Sequence, residues 1–191
     1  MLSEANLLRV LGRASPETWA EGLQWYTEAR EIAIILQGVM PVGEDGWTLD
    51  QTAGVLAALS PQKCWGETVR LALIACYEGE ARGHFQGQCE KVNRILKGEY
   101  PDDVLMGQKE RAFFNGLFTG GKTSAVCIDR HAFDVLRGEV GTNQSRKLLY
   151  HKGVYLAAQE CYRNVAEFFP VYPAQLQAVA WVQWRKEKGL G

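Results

Sequence analysis

The stretch AVCIDRHAFDVL, residues 125–136, carries the clearest structural signal in the sequence. A short apolar run ends at Asp129, and apolar side chains then recur at helical spacing. Aspartate is a preferred N-cap, because its side-chain oxygen accepts the free backbone N–H groups of the first helical turn. The positive end of the helix dipole also favours a negative charge there. The stretch therefore predicts a helix over 130–137 with an ionised carboxylate at its start.

Helical periodicity extends over most of the chain. Ser15-Pro16 supplies an N-cap and a first-turn proline for a helix whose apolar stripe runs to Met40 before Gly43 breaks it. Thr48 and Gln51 fit a capping box at the start of another helix. No long alternating run and no internal repeat is present, so we expect an all-α fold with eight to ten helices. The further helices are expected from Pro61, and over 89–97, 108–118, 143–168 and 173–188.

Composition limits the class of protein. The 191 residues, 47% apolar and 23% charged, suit one domain or two small lobes with a buried core, and exclude a disordered or collagen-like chain. No stretch approaches the roughly 18 apolar residues of a membrane span, and no secretion signal is present, so we expect a cytoplasmic protein without a membrane partner. The five cysteines are isolated and odd in number, which argues against a zinc or iron–sulfur site and favours free thiols.

Charge is distributed unevenly along the chain, although the total is only −1. Residues 1–60 carry a net charge of −5, residues 61–140 are balanced, and residues 141–191 carry +4. A basic end of this size could face nucleic-acid phosphates, or it could be an ordinary solvated helical surface.

Residues 116–123, GLFTGGKT, match the P-loop pattern G-x-x-x-x-G-K-[ST]. A nucleotide-binding P-loop requires a buried strand before it and a long helix after it, within a parallel sheet. Here the preceding residues 108–114, QKERAFF, have the pattern of an amphipathic helix, and the residues that follow are also helical. We therefore interpret the segment as a glycine-rich loop between two helices.

Three further features lie upstream of Asp129, and their order along the chain matters as much as their composition. Residues 56–62, LAALSPQ, end a buried helix in a polar turn, residues 98–109 read GEYPDDVLMGQK, and Lys109 lies 20 residues before Asp129. Together they resemble the helix–hairpin–helix DNA glycosylase superfamily, most closely its endonuclease-III-like branch, over about residues 50–138. In that family an apolar helix ends in L-S-x-Q, G-E-x-P-x-D leads into an L-P-G hairpin, a lysine opens the next helix, and V-D-x-H begins another.

The resemblance implies a role for each matching residue. Asp129 matches the catalytic aspartate, which stabilises positive charge on the sugar as the N-glycosidic bond breaks. Lys109 matches the lysine that attacks C1′ and forms a Schiff base in members that also cut the strand. Gln62 matches the residue that fills the gap left by a flipped base. His131 matches the histidine beside the aspartate, with a local hydrogen-bonding, phosphate-facing or simple capping role.

The sequence departs from the family pattern at the hairpin. The family's L-P-G-V-G segment holds a DNA phosphate through its backbone N–H groups, whereas residues 105–108, LMGQ, keep one glycine. Gly107 and Gln108 are the candidate DNA contacts here, but the loss of the second glycine leaves open whether this segment still binds a phosphate. Arg111 is the nearer match to the family lysine without gaps, and it cannot form a Schiff base because it stays protonated. Lys109 is thus either the nucleophile or a surface or DNA-contact lysine, and Arg111 is a candidate DNA contact.

Tryptophan is abundant, with six residues. Trp65 follows Gln62 by three residues, so we consider both a place at the mouth of a cleft and simple packing for it. Trp181 and Trp184 are three residues apart, and this helical spacing favours packing in the core or between lobes over a base-stacking platform.

The resemblance implies two helical lobes with the substrate cleft between them. Residues 47–138 would form the helix–hairpin–helix lobe, and residues 1–46 and 139–191 the other. The implied function is a monomeric DNA glycosylase, without metal or cofactor, that flips an altered base from duplex DNA in a bacterial or viral host cytosol or nucleoid. The alternatives are a DNA-binding relative without chemistry, and an enzyme that modifies a hypermodified base by another transfer reaction.

Overall fold

The computed structural model describes residues 2–39 and 46–190, and within these ranges it contains helices and no strands. The all-α prediction is therefore confirmed for this part of the chain. None of its helices is long and apolar enough to cross a membrane. The α-helices are α1 Glu4–Leu11, α2 Pro16–Gln37, α3 Leu49–Leu59, α4 Trp65–Glu78, α5 Gln86–Leu96, α6 Pro101–Val104, α7 Gln108–Thr119, α8 Arg130–Arg137, α9 Asn143–Arg146, α10 Lys152–Ala166 and α11 Pro173–Lys188, and a 3₁₀ turn spans Lys147–Tyr150.

Capping signals placed several helix ends correctly. The Thr48 hydroxyl accepts the backbone N–H of Gln51, whose side chain accepts the N–H of Thr48, so α3 begins with the expected capping box. Helix α8 begins directly after Asp129, as predicted, and ends at Gly138, which has the left-handed φ of 74° that favours glycine. The predicted helix break at Gly43 lies outside the described residues.

Other helix predictions were wrong. Helix α4 starts at Trp65 rather than at Pro61, because a turn intervenes. The single helix expected over 143–168 is divided into α9, the 3₁₀ turn and α10. Arg146 at the end of α9 forms an ion pair with the fully buried Asp134 of α8, a tertiary contact that helical periodicity does not report. The short helices α1 and α6 were not predicted from the sequence.

The chain folds as two compact units, one of Met1–Thr27 with Gly121–Gly191 and one of Glu28–Gly120. We call them the terminal unit and the central unit. The boundaries differ from those expected at residues 46 and 138. Helix α8 belongs to the terminal unit because it packs against α1, α10 and α11.

The core of the terminal unit is formed by α1, α8, α10 and α11, around the fully buried Phe133, Tyr162 and Trp184. Helices α2 and α11 approach closely at Gly22, where an added Cβ would lie 2.4 Å from the Cα of Val179. Burial of this apolar surface is the main stabilising contribution.

The central unit is built around α3, which is buried on all sides from Thr52 to Leu59 and packs against α4, α5, α6 and α7. Gly54 of α3 permits the approach of Pro101, since an added Cβ would lie 2.7 Å from the proline ring. The Arg30 guanidinium donates to the carbonyl of Phe118 at 3.0 Å, which satisfies an acceptor near the end of α7.

Candidate functional site

Asp129 is held by three hydrogen bonds at the start of α8. Its Oδ1 accepts the backbone N–H of His131 at 2.9 Å and that of Ala132 at 2.8 Å. Its Oδ2 accepts the indole N–H of Trp181 in α11 at 3.0 Å. The side chain is half-buried, and donors to both oxygens stabilise a negative carboxylate and restrict its orientation.

Helix α10 fixes the backbone on both sides of this carboxylate. The hydroxyl of Tyr155 accepts the N–H of Ile128 at 3.1 Å, and the Gln159 side chain donates to the carbonyl of Val126 at 2.7 Å. The Tyr162 hydroxyl donates to the carbonyl of Ala132 at 2.9 Å. Burial raises the pKa of both tyrosines above the ordinary range, so the phenols stay neutral and keep these bonds at physiological pH.

Two half-buried tryptophans lie beside Asp129 in the terminal unit. The rings of Trp181 and Trp25 meet at 63° with their centres 5.9 Å apart, and Tyr26 meets Trp25 edge-on at 4.9 Å. The Arg185 guanidinium lies 4.1 Å from the centre of the Trp181 ring. Sequence reasoning assigned Trp181 to packing and did not select Trp25. No local signal could link them to Asp129, because they come from α11 and α2.

His131 is more buried than a phosphate-facing residue would be. The residue is 8% exposed, and its Nε2 accepts from the Arg130 guanidinium at 3.2 Å. The proton then lies on Nδ1, which is buried and has no partner in the described chain. Burial lowers the pKa of His131, partly opposed by Asp129. The exposed Arg130, rather than His131, faces solvent beside the carboxylate.

In the central unit, α6, a short turn and α7 occupy the residues at which the resemblance implies a hairpin. Gly107 is exposed and is the N-cap of α7. Arg111 donates from Nε to the carbonyl of Leu105 at 2.6 Å and from Nη2 to that of Asp102 at 2.8 Å. Arg111 therefore braces the backbone between α6 and α7, a role that the sequence did not reveal.

The first turn of α7 carries Gln108 and Lys109, whose backbone N–H groups lack partners within the helix. The Lys109 side chain is half-buried and forms no ion pair with a described residue. Glu110 is buried beside them and is paired with Lys91 at 2.7 Å, so its negative charge is balanced close to Gly107.

Gln62 has an unusual backbone conformation. Its φ is 61°, the one positive value outside glycine in the described residues, and its side chain is exposed. His84 holds this turn: its Nδ1 accepts the N–H of Phe85 at 2.7 Å, so its Nε2 carries the proton and donates toward the carbonyls of Leu59 and Pro61. Strained residues of this kind concentrate at functional sites.

Trp65 and the glycine-rich segment have structural roles. Trp65 meets Phe113 edge-on with ring centres 6.2 Å apart, which favours the packing interpretation. In residues 116–123, α7 runs to Thr119 and two glycines with positive φ follow, Gly120 and Gly121. The described residues contain no strand to precede a P-loop, and only residues 120–123 of the segment lie in the loop between α7 and α8.

The predicted site residues fall into two groups. Asp129 and His131 belong to the terminal unit. The central unit contains the remaining predicted residues, namely Gln62, Trp65, Gly107, Gln108, Lys109 and Arg111.

The basic end of the chain is partly neutralised within its own unit. Lys186 pairs with Glu21, and Arg146 pairs with Asp134, both acids from outside residues 141–191. Lys147 and Lys152 remain exposed and form no ion pair with a described residue. In the part of the chain that the structure describes, no three His, Cys, Asp or Glu side chains are grouped to hold a metal ion.

The chain belongs to a family of unknown function, DUF7178, whose sequence profile matches residues 3–188. The match includes both groups of candidate residues. No curated protein and no solved structure matches the chain.

Proposed function

We propose that this protein is a DNA N-glycosylase with the two-lobed helix–hairpin–helix fold, which flips an altered base from duplex DNA and hydrolyses its N-glycosidic bond. The observation that supports this function is the Asp129 carboxylate, held by two backbone N–H groups and the Trp181 indole. Cleavage of a glycosidic bond passes through an oxocarbenium-like state, and a fixed negative charge stabilises it.

The carboxylate is suited to this task because it needs little reorganisation. A carboxylate offers about four lone-pair positions. Three N–H donors occupy three of them at Asp129, which leaves one on Oδ2 for the positive charge that develops at C1′ and the ring oxygen. Water then adds to C1′, and the base leaves with the proton that water releases. Charge stabilisation of this kind typically contributes about 10²–10³-fold to the rate.

The central unit supplies the proposed DNA contacts. The free backbone N–H groups of Gln108 and Lys109 can bind a phosphate, with Arg111 holding the hairpin in shape. Gln62 is exposed on a rigid turn, as a side chain that fills the gap of a flipped base must be.

The test is base release from duplexes that each carry one deaminated, oxidised, alkylated or hypermodified base, followed by mass spectrometry. We expect the wild type to release a free base, and Asp129→Asn to lose about 100-fold or more of the rate. Glu78→Gln, which removes an exposed carboxylate at the end of α4, serves as the control and keeps the activity. Tight binding with all bases intact would instead support a DNA-binding protein without chemistry. A mass change in a retained base would support the transfer reaction.

Strand cutting is assigned to Lys109 and is tested separately. Borohydride reduces a Schiff base to a stable adduct, so the wild type should become covalently attached to the abasic product. Lys109→Ala should abolish the adduct, whereas Lys97→Ala, which removes an exposed lysine of the same unit, should not. An undiminished adduct in Lys109→Ala, or none in the wild type, refutes strand cutting by Lys109 and leaves the glycosylase proposal intact.

A further inference from the structure

We propose that Trp181 is a positioning residue for Asp129, whose indole N–H fixes the plane of the carboxylate for the developing positive charge. This inference rests on the proposed function. The two bonds to Oδ1 are those of an ordinary N-cap and leave the carboxylate free to turn about them. Capping needs no third donor. The bond from Trp181 to Oδ2, across 52 residues of sequence, removes that freedom.

The Trp181 ring is itself held in place. Arg185, one turn further along α11, stacks over the ring at 4.1 Å, and its Nε donates to the carbonyl of Leu190 at 3.0 Å. Trp25 contacts the ring from α2. Because these contacts restrict the indole before any substrate binds, the donor position at Oδ2 is preorganised.

Trp184 provides an internal control in the same helix. Lys188 lies 4.7 Å over the Trp184 ring, the same i to i+4 arrangement as Arg185 over Trp181. The Trp184 indole N–H, however, is buried and has no partner in the described chain. Replacement by phenylalanine therefore removes a donating N–H at Trp181 and a non-donating one at Trp184.

The functional test compares binding to two duplexes, one with a cationic pyrrolidine abasic analogue and one with a neutral tetrahydrofuran analogue. The ratio of the two dissociation constants reports the effective negative charge at the sugar. A general loss of protein stability weakens binding to both duplexes by the same factor and leaves the ratio unchanged. We expect the wild type to prefer the cationic analogue, and Trp181→Phe to lose about ten- to a hundredfold of this preference. Trp184→Phe should retain the preference. An unchanged preference in Trp181→Phe would overturn the inference.

A second measurement does not depend on DNA. Proton exchange of the indole N–H groups is followed by NMR in protein with ¹⁵N-labelled tryptophan. Asp129→Ser keeps a capping oxygen but removes Oδ2, so the Trp181 indole should exchange at least about tenfold faster and the Trp184 indole should not change. Equal exchange of Trp181 in both proteins overturns the inference. Failure of the wild type to bind either duplex, with the exchange result as expected, would count against the proposed function alone.

Discussion

Gly22→Ala is expected to destabilise the protein, although alanine is the better helix former. Gly22 lies within α2 at its closest approach to α11. An added Cβ would lie 2.4 Å from the Cα of Val179 and 2.7 Å from its backbone nitrogen. Favourable carbon contacts begin at about 3.5 Å. Because these atoms belong to the backbone, no side-chain rotation can relieve the overlap, and the helices must separate.

The magnitude follows from two opposing contributions. Alanine in place of glycine within a helix stabilises by about 1 kcal/mol. Overpacking in a well-packed interior costs about 1–3 kcal/mol, and a collision with backbone belongs at the upper end. The net loss in unfolding free energy is therefore about 2 kcal/mol. The same displacement moves Trp25, one turn along α2, relative to Trp181, so the surroundings of Asp129 change as well.

Urea unfolding followed by far-ultraviolet circular dichroism measures this loss as a lower midpoint. Gly153→Ala is the matched control, because it lies in the first turn of α10 of the same unit and its added Cβ would meet nothing within 4 Å. We expect the control to equal or exceed the wild type in stability. A midpoint for Gly22→Ala at or above that of the wild type would refute the close helix approach.

Three further predictions concern strain, protonation and thiol reactivity. Gln62→Gly should raise the unfolding free energy, measured in urea, by about 1 kcal/mol, because glycine adopts a positive φ without strain. The same change should weaken binding to an abasic-analogue duplex. A loss of stability would contradict the strain at Gln62. The lowered pKa of buried His131 means that the unfolded chain binds a proton which the folded chain does not, so stability falls as the pH drops below about 6.5. His131→Gln should make the stability less dependent on pH there, and an unchanged slope would show that other groups cause it. Burial raises the pKa of Cys76 to about 12, so a thiol reagent at about pH 8 should modify exposed Cys64 first and Cys76 only on unfolding, as peptide mapping would show.

Much of the secondary structure could be predicted because its signals are local. The Asp129 cap, the Thr48 capping box and the Ser15-Pro16 pair each act within one helical turn, and the structure has the helices that they indicate. The start of α4 and the division of residues 143–168 could not be predicted. The start of α4 depends on the turn that precedes it. The division of residues 143–168 accompanies the buried ion pair of Arg146 with Asp134, which is a tertiary contact.

The sequence by itself determined an all-α chain and placed a carboxylate at a helix start, because periodicity and capping are properties of neighbouring residues. Only the tertiary structure decided which side chains surround that carboxylate. Trp181 reaches Asp129 across 52 residues, and Trp25 reaches Trp181 from the other end of the chain. Such contacts depend on how α2, α8 and α11 pack, including the close approach at Gly22, and no spacing in the sequence encodes that packing.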